Sequence, residues 1–215
     1  MIVSKLLSWF EQNKRVFPWR KRFNHPDPYL ILFAEVMLQR TRADQVARVY
    51  LEFIREYPDF QSLSQAPRSE VRKSLRPLGL NWRIGRILDL IEFLQRKHGG
   101  RIPSDYNELL QLPGVGPYVA SAVMCYAFLE PMVAIDVNVV RVLSRIFGIP
   151  YTKNTKSSKA LRELAASLIP EGKARELNLC LLDFGALVCT TNNPRCNVCP
   201  VKGQCRYFQG PHSQK

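Results

Sequence analysis

The sequence contains no apolar run that approaches the roughly 18–20 residues a membrane span requires. Its first segment, Met1–Arg15, places its charges after the apolar residues, whereas a secretory signal has them before. We therefore expect a cytoplasmic, intracellular protein with no membrane association. In that compartment thiols stay reduced, so its cysteines are expected to act as free thiols or ligands rather than as disulfides.

Strand patterns are also almost absent, since polar and apolar residues hardly ever alternate, and the chain has neither an internal repeat nor a low-complexity tract. Apolar residues recur instead at helical spacing, which predicts an all-α fold. Predicted helices cover Val3–Lys14, Pro28 to about Arg40, Arg42–Glu56, Phe60–Ser64, Ser69–Leu75, Arg83–His98, a segment capped by Ser104 or Asp105 that ends at Leu112, Pro117–Phe128, Val137–Phe147, Ser157–Ile169 and Lys173–Val188.

Acidic residues are scarce. The chain of 215 residues has 18 Asp and Glu against 31 Lys and Arg, which gives a formal net charge of +13. Such an excess attracts polyanions and makes their binding salt-dependent. A well-solvated basic surface has the same composition, so charge alone leaves a nucleic-acid partner and a merely basic surface both open.

Four of the six cysteines lie near the C-terminus with the spacing C-x6-C-x2-C-x5-C: Cys189, Cys196, Cys199 and Cys205. Thiolates spaced in this way within one short loop are typical ligands of a metal centre, either a zinc ion or an iron–sulfur cluster. Cys125 and Cys180 lie in apolar helical stretches and are expected to be small buried residues.

A glycine hairpin lies between two predicted helices, at Leu112-Pro113-Gly114-Val115-Gly116. Glycines allow a tight turn and a close approach of the backbone to another molecule. Pro117 then begins a helix whose first N–H groups point outward, an arrangement that binds phosphate. The alternative is an ordinary turn between packed helices.

The order of hairpin, the stretch Ala134–Val142 and the cysteine loop resembles the helix–hairpin–helix base-excision DNA glycosylases of the endonuclease III and MutY type. The resemblance extends from Phe17-Pro18-Trp19-Arg20 to Cys205 and implies a [4Fe–4S] cluster on the four cysteines. It also implies two helical lobes and a monomeric, nucleoid-associated enzyme acting on duplex DNA with a mismatched or damaged base. The expected division is a central bundle at 23–129, a second lobe at 1–22 plus 130–208, and a disordered tail at 209–215.

The resemblance assigns catalytic roles to three residues. Asp136, which from sequence alone reads as a helix cap, occupies the catalytic aspartate position, where a carboxylate stabilises the cationic sugar. Glu35 matches an active-site glutamate, and burial there would raise its pKa so that it could donate a proton or hydrogen bond to the departing base. Tyr118 stands where endonuclease III-like enzymes have a lysine, and a phenol cannot form the imine that strand cleavage needs.

The resemblance also implies residues that contact DNA. Relatives place an intercalating hydrophobic side chain at the position of Leu80, and Gln39 and Arg40 are positioned to enter the base stack. Gly114 and Gly116 belong to the phosphate-binding hairpin. The remaining predicted contacts come from the cysteine loop, at Arg195, Lys202 and Arg206.

These features predict a monofunctional glycosylase that removes thymine or uracil opposite guanine and leaves an abasic site. Tyr118 and the stretch 122–128 are similar to the mismatch-specific thymine/uracil enzymes. The stretch Glu35–Gln39 resembles the adenine glycosylases instead, which makes removal of adenine opposite guanine or 8-oxoguanine the alternative. An endonuclease III-like lyase and a non-catalytic DNA-binding module are further alternatives.

Overall fold

The computed structural model describes residues 1–21, 26–152, 155 and 158–210. Throughout these ranges the regular structure is helical and contains no strand, which confirms the all-α prediction. The α-helices are α1 (Ile2–Asn13), α2 (Pro28–Leu38), α3 (Ala43–Glu56), α4 (Phe60–Gln65), α5 (Arg68–Leu75), α6 (Asn81–His98), α7 (Tyr106–Gln111), α8 (Pro117–Ala127), α9 (Val137–Phe147), α10 (Lys159–Ser167), α11 (Ala174–Leu187) and α12 (Arg206–Gln209). No helix in the described ranges is both long and apolar enough to cross a bilayer.

The predicted helix signals operate where the sequence places them. Asp27 accepts a hydrogen bond from the Tyr29 amide at 2.9 Å, and Asp105 caps α7 in the same way. Gly99 ends α6 in the left-handed conformation, with φ of 58°.

Most predicted helix ends lie within one residue of the structure, but three helices differ by two residues at one or both ends. Helix α2 ends at Leu38 rather than near Arg40, because Gln39 is extended and Arg40 is left-handed. Helix α6 begins at Asn81, two residues before the predicted start. Helix α10 covers only Lys159–Ser167, and the predicted start at residue 157 lies outside the described residues.

Contacts divide the chain into two units, Val16–Phe128 and Met1–Arg15 with Leu129–Lys215. The predicted boundary between residues 22 and 23 falls in the segment 22–25, outside the described residues. The short helical turn Pro18–Arg20 packs on α2 and α3, so it belongs to the central unit and not to the second lobe. Of the expected disordered tail at 209–215, Gln209 is instead the last residue of α12, and residues 211–215 lie outside the described part of the chain.

Two apolar helices form the core of the central unit. Helix α2 buries every residue from Tyr29 to Met37, and α8 buries every residue from Val119 to Ala127. A helix that is apolar on all sides is stable only when neighbours cover it completely. Helices α2 and α8 pack on each other, and α3 and α7 cover their remaining faces.

Helix α11 is the centre of the second unit, where it packs against α9 and the N-terminal helix α1. The carboxylate of Asp183 is fully buried and accepts from the Arg15 amide at 2.9 Å and from Arg15 Nε at 2.7 Å. A buried carboxylate without such donors would be strongly destabilising. These bonds therefore hold the N-terminal helix on the segment that leads into the cysteine loop.

Candidate active site and nucleic-acid interface

Asp136 is the N-cap of α9, as the sequence alone indicated. Its Oδ1 accepts from the amides of Asn138 and Val139, both at 2.8 Å, and its Oδ2 accepts from Asn138 Nδ2 at 2.7 Å. Three donors therefore fix the orientation of a half-buried carboxylate at the start of the helix. A carboxylate with a fixed position and partial access to solvent is able to stabilise positive charge on a bound group.

A chain of hydrogen bonds connects this carboxylate to the first cysteine of the loop. Asn138 Oδ1 accepts from Arg141 Nη2 at 2.8 Å, and Arg141 Nε donates to the Cys189 carbonyl at 2.9 Å. Arg141 Nη2 also donates to the Gly185 carbonyl at 2.8 Å. A Cβ at Gly185 would lie 2.9 Å from the Asn138 Cβ, so only glycine permits this close approach of α9 and α11.

Asn138 and Arg141 were missed as site residues in the sequence analysis. The sequence pattern that could have identified them is a pair of polar residues three positions apart in the apolar helix α9, because residues i and i+3 share one face of a helix.

Arg145 organises the cysteine loop from the same helix. Its Nη1 donates to the Thr190 carbonyl at 2.6 Å and lies 3.6 Å from the Cys189 Sγ, and its Nη2 donates to the Thr191 carbonyl at 2.9 Å. The Cys205 thiol in turn donates to the Arg145 carbonyl at 3.3 Å. One arginine therefore contacts both ends of the four-cysteine loop.

The four loop cysteines share one electrostatic environment. Burial and the other three loop cysteines together raise the pKa of the Cys199 thiol to about 11, although a hydrogen bond with the Val201 backbone lowers it. Burial, Cys189 and Cys205 likewise raise the pKa of the Cys196 thiol, whereas the positive charge of Arg145 lowers it. Such thiols ionise readily only when a positive group binds them, and the Arg145 guanidinium beside the Cys189 Sγ favours the thiolate form that a metal centre requires.

In the described part of the chain, no three His, Cys, Asp or Glu side chains are arranged to hold a metal ion. The two remaining cysteines are separate from the loop. Cys125 is buried in α8, and the thiol of Cys180 in α11 donates to the Leu6 carbonyl at 3.2 Å. Both are buried residues, as expected from their apolar surroundings.

The predicted basic contacts on the cysteine loop are at the surface of the second unit. Arg195, Lys202 and Arg206 are all exposed. Arg195 is anchored through its backbone, because its amide donates to the Val188 carbonyl at 2.9 Å. The side chain is thus presented from a fixed backbone position.

In the central unit, the glycine hairpin adopts the tight turn that its sequence predicts. Gly114 has φ of 80°, and the Val115 amide donates to the Leu112 carbonyl at 3.0 Å. Gly116 is the N-cap of α8, with Pro117 at its first position. The N–H groups of a first helical turn have no acceptor within the helix, so they are available to an anion.

Two predicted catalytic residues lie on the packed helices of the central unit. Glu35 is within α2 and only 4% exposed, and Tyr118 is half-buried in the first turn of α8. The structure places Asp136 in the other unit. Gln39 follows α2, and its Nε2 donates to the Gly114 carbonyl at 2.8 Å, which connects it to the hairpin.

A buried arginine joins the two turns that carry the other predicted DNA contacts. Arg83 is 1% exposed; its Nη1 donates to the Met37 carbonyl at 3.0 Å, to Thr41 Oγ1 at 2.6 Å and to the Gln39 carbonyl. Its Nη2 donates to the Leu78 carbonyl at 2.8 Å. Burial lowers the pKa of this guanidinium, and these acceptors compensate for the water it has lost.

Arg83 thus holds one turn at Gln39–Thr41 and another at Leu78–Leu80. Arg40 and Leu80 are both exposed and both left-handed, with φ of 56° and 57°. Residues with side chains adopt this conformation rarely and at an energetic cost. Sequence reasoning identified Arg40 and Leu80 but missed Arg83, whose role depends on contacts with residues more than 40 positions away.

Comparisons with known proteins agree with this architecture. The chain is 39% identical over 210 residues to the thymine/uracil-DNA glycosylase of Methanothermobacter thermautotrophicus, covering 97% of this chain and 94% of that protein. The solved structure of a thermostable thymine-DNA glycosylase superposes with a TM-score of 0.88 at 38% identity, over 96% of this chain and 94% of that one. The adenine DNA glycosylase of Buchnera aphidicola is 31% identical, over 94% of this chain but 57% of that protein.

The family model that matches residues 33–170 describes a helix–hairpin–helix base excision DNA repair protein. This range contains the hairpin and the stretch Ala134–Val142, two of the three features on which the predicted resemblance depended, and it also contains Glu35. The chain therefore belongs to the HhH-GPD superfamily of base excision DNA repair proteins.

Proposed function

We propose that this protein is a monofunctional DNA glycosylase that releases thymine or uracil mispaired with guanine and leaves an abasic site. The observation that carries its chemistry is the Asp136 carboxylate, which three hydrogen bonds hold at the start of α9. The choice of base rests on similarity to thymine/uracil-DNA glycosylases along nearly the full length of both proteins.

The reaction breaks the bond between the sugar C1′ and the base nitrogen, and the electron pair of that bond leaves with the base. Positive charge develops on the deoxyribose, and the Asp136 carboxylate stabilises it. Water adds to C1′, and the proton that it loses ends on the departing base. Glu35, buried in α2, donates a hydrogen bond to the edge of the base.

Tyr118 restricts the outcome to base removal. An amine at this position would attack the sugar and form an imine, from which the strand is cleaved. A phenol has no nitrogen for this step, so the abasic product is released with an intact backbone. Tyr118 lies in the first turn of α8, beside the hairpin that binds the phosphate.

The DNA partner is a duplex with a mismatched base, bound through its backbone and opened at the lesion. In this proposal the Gly114 and Gly116 amides, Arg195 and Lys202 contact phosphates, and the net charge of +13 favours the encounter. Gln39, Arg40 and Leu80 occupy the space that the flipped nucleotide leaves. Mismatched pairs are opened at lower cost than matched ones, which contributes to selectivity.

Cys189, Cys196, Cys199 and Cys205 hold a [4Fe–4S] cluster in this proposal. Their shared electrostatic environment and the Arg145 guanidinium beside the Cys189 Sγ support it. When bound, the cluster cross-links the loop and fixes the backbone from which Arg195 and Lys202 reach phosphate. Arg145 holds the loop through the Thr190 and Thr191 carbonyls.

One assay tests the proposal: single-turnover base release from duplexes that carry T:G, U:G, A:G or A opposite 8-oxoguanine. We expect release of thymine and uracil opposite guanine and no covalent protein–DNA adduct after borohydride reduction. Release of adenine alone would establish the adenine-glycosylase alternative, to which the 31% identity with an adenine DNA glycosylase points. A robust borohydride adduct would refute the monofunctional assignment, and binding without release of any base would refute catalysis.

A further inference from the structure

The central unit exposes one tryptophan beside the turn that carries Leu80. All three tryptophans lie in the described residues; Trp19 is 7% exposed and Trp9 half-buried, whereas Trp82 is 45% exposed. Trp82 is the second residue of α6 and lies two positions after the left-handed Leu80. A large apolar side chain left in water at a fixed turn forgoes the stabilisation of burial, which favours a ligand that covers it.

Two arginines flank the exposed indole. The Arg86 guanidinium carbon lies 5.6 Å from the centre of the ring, and that of Arg40 lies 6.0 Å from it. Both side chains are exposed, and within the described ranges neither forms an ion pair with a carboxylate. Two like charges converge on one aromatic ring here, so the group that covers the ring should be rich in hydrogen-bond acceptors.

The positions of both arginines are fixed by neighbouring structure. Arg40 lies between Gln39 and Thr41, and Arg83 bonds both of these residues. Arg86 lies against the hairpin, since a Cβ at Gly114 would be 3.4 Å from the Arg86 Cβ. The indole and its two cations therefore form a preorganised surface, which we call the Trp82 platform (Arg40, Trp82 and Arg86).

We infer that the Trp82 platform recognises the guanine left unpaired in the strand opposite the flipped nucleotide. Trp82 stacks on the base, and the Arg40 guanidinium donates to its acceptors. This inference rests on the proposed function and names the residues that select the opposite base. Phosphate is a poorer occupant, because an aromatic face between two cations adds nothing to phosphate binding, whereas every base presents a π-face to it.

Guanine fits the platform better than adenine because of its acceptors. Its major-groove edge presents two acceptors, O6 and N7, to which the planar guanidinium of arginine donates in pairs. Adenine has an N6 amino group in place of O6, and this donor would face the donors of Arg40. The platform therefore distinguishes a mispaired guanine from adenine in a normal pair.

The experiment measures binding to duplexes with an uncleavable tetrahydrofuran abasic analogue opposite each of the four bases. We expect the wild-type protein to bind the guanine duplex most tightly. Trp82→Ala should weaken that complex roughly 5- to 150-fold, the range for loss of one stacked base. Trp82→Phe should retain most of the affinity, and Arg40→Gln should reduce the preference for guanine over adenine.

Arg96→Gln is the matched control for charge, because Arg96 is exposed at the other end of α6. It should weaken binding to all four duplexes equally. The inference is overturned if Trp82→Ala leaves binding to the guanine duplex unchanged. It is also overturned if Arg40→Gln weakens binding to all four duplexes equally, the result expected of a phosphate contact. The Arg40→Gln measurement decides this point even if the alanine variant is unstable.

The binding assay requires no base release, so the two proposals fail separately. A loss of affinity in Trp82→Ala, with a reduced preference for guanine in Arg40→Gln, supports the platform even if wild-type protein releases neither thymine nor uracil. Conversely, wild-type release of uracil opposite guanine would leave the proposed function standing, and the platform would be refuted if Trp82→Ala bound as tightly as wild type or Arg40→Gln kept the preference for guanine.

Discussion

Replacing Asp136 with asparagine separates its two roles, as a helix cap and as a catalytic carboxylate. Asparagine is as good an N-cap as aspartate. Its Oδ1 can still accept from the amides of Asn138 and Val139, each of which lies 2.8 Å from the carboxylate in the wild type. The two backbone bonds that hold the start of α9 are therefore preserved in the variant.

The substitution replaces the other oxygen of Asp136, Oδ2, with an NH2 group, and this change removes a hydrogen-bond acceptor. The new group faces Asn138 Nδ2, which donates to Oδ2 across 2.7 Å in the wild type. Asn138 cannot turn its amide without losing the bond from Arg141 Nη2. One charge-assisted hydrogen bond is lost, so we expect the free energy of unfolding to fall by about 2 kcal/mol. A domain stable by at least about 5 kcal/mol remains roughly 99% folded after this loss.

Base release should fall much further than stability. Removing the negative charge that stabilises the cationic sugar should slow single-turnover release by at least about 100-fold. Binding to a duplex with an abasic analogue should be retained. The matched control is Asn138→Ala, which loses the same bond to Oδ2 but keeps the Asp136 carboxylate and its two backbone donors.

Two outcomes would refute this reasoning. Release by the Asp136→Asn protein within about threefold of wild type would show that the residue is only a cap, since an electrostatic role predicts a far larger loss. An equal loss in Asn138→Ala would show that the position of α9, not the charge of Asp136, limits the reaction.

Two further substitutions test the two arginines that hold the turns and the cysteine loop in place. Arg83→Met leaves the buried Met37 and Leu78 carbonyls without their donor and should lower the free energy of unfolding by about 1–3 kcal/mol for each carbonyl, measured by urea denaturation. An unchanged urea midpoint would contradict the role given to Arg83. Arg145→Gln removes the cation beside Cys189 Sγ and should speed the loss of the visible absorbance of the proposed iron–sulfur cluster, with Arg162→Gln as the exposed control. Equal rates of bleaching would contradict that role.

Local signals in the sequence were sufficient for the helices and for most of their ends. The caps at Asp27 and Asp105 and the glycine turn at Gly114 depend on a few consecutive residues, so the sequence predicts them directly. The end of α2 was wrong because nothing within its own segment stops the helix at Leu38. There, Arg83 bonds the carbonyls of Met37 and Gln39 from a distant helix.

The sequence by itself determined the helical fold, the identity of the candidate carboxylates and the spacing of the four cysteines. Only the tertiary structure revealed how these groups are supported: Asn138 and Arg141 join Asp136 to the Cys189 backbone, Arg83 joins two turns, and two arginines flank Trp82. Caps and turns are short-range, whereas a buried guanidinium finds its acceptors only after distant segments pack together and exclude water.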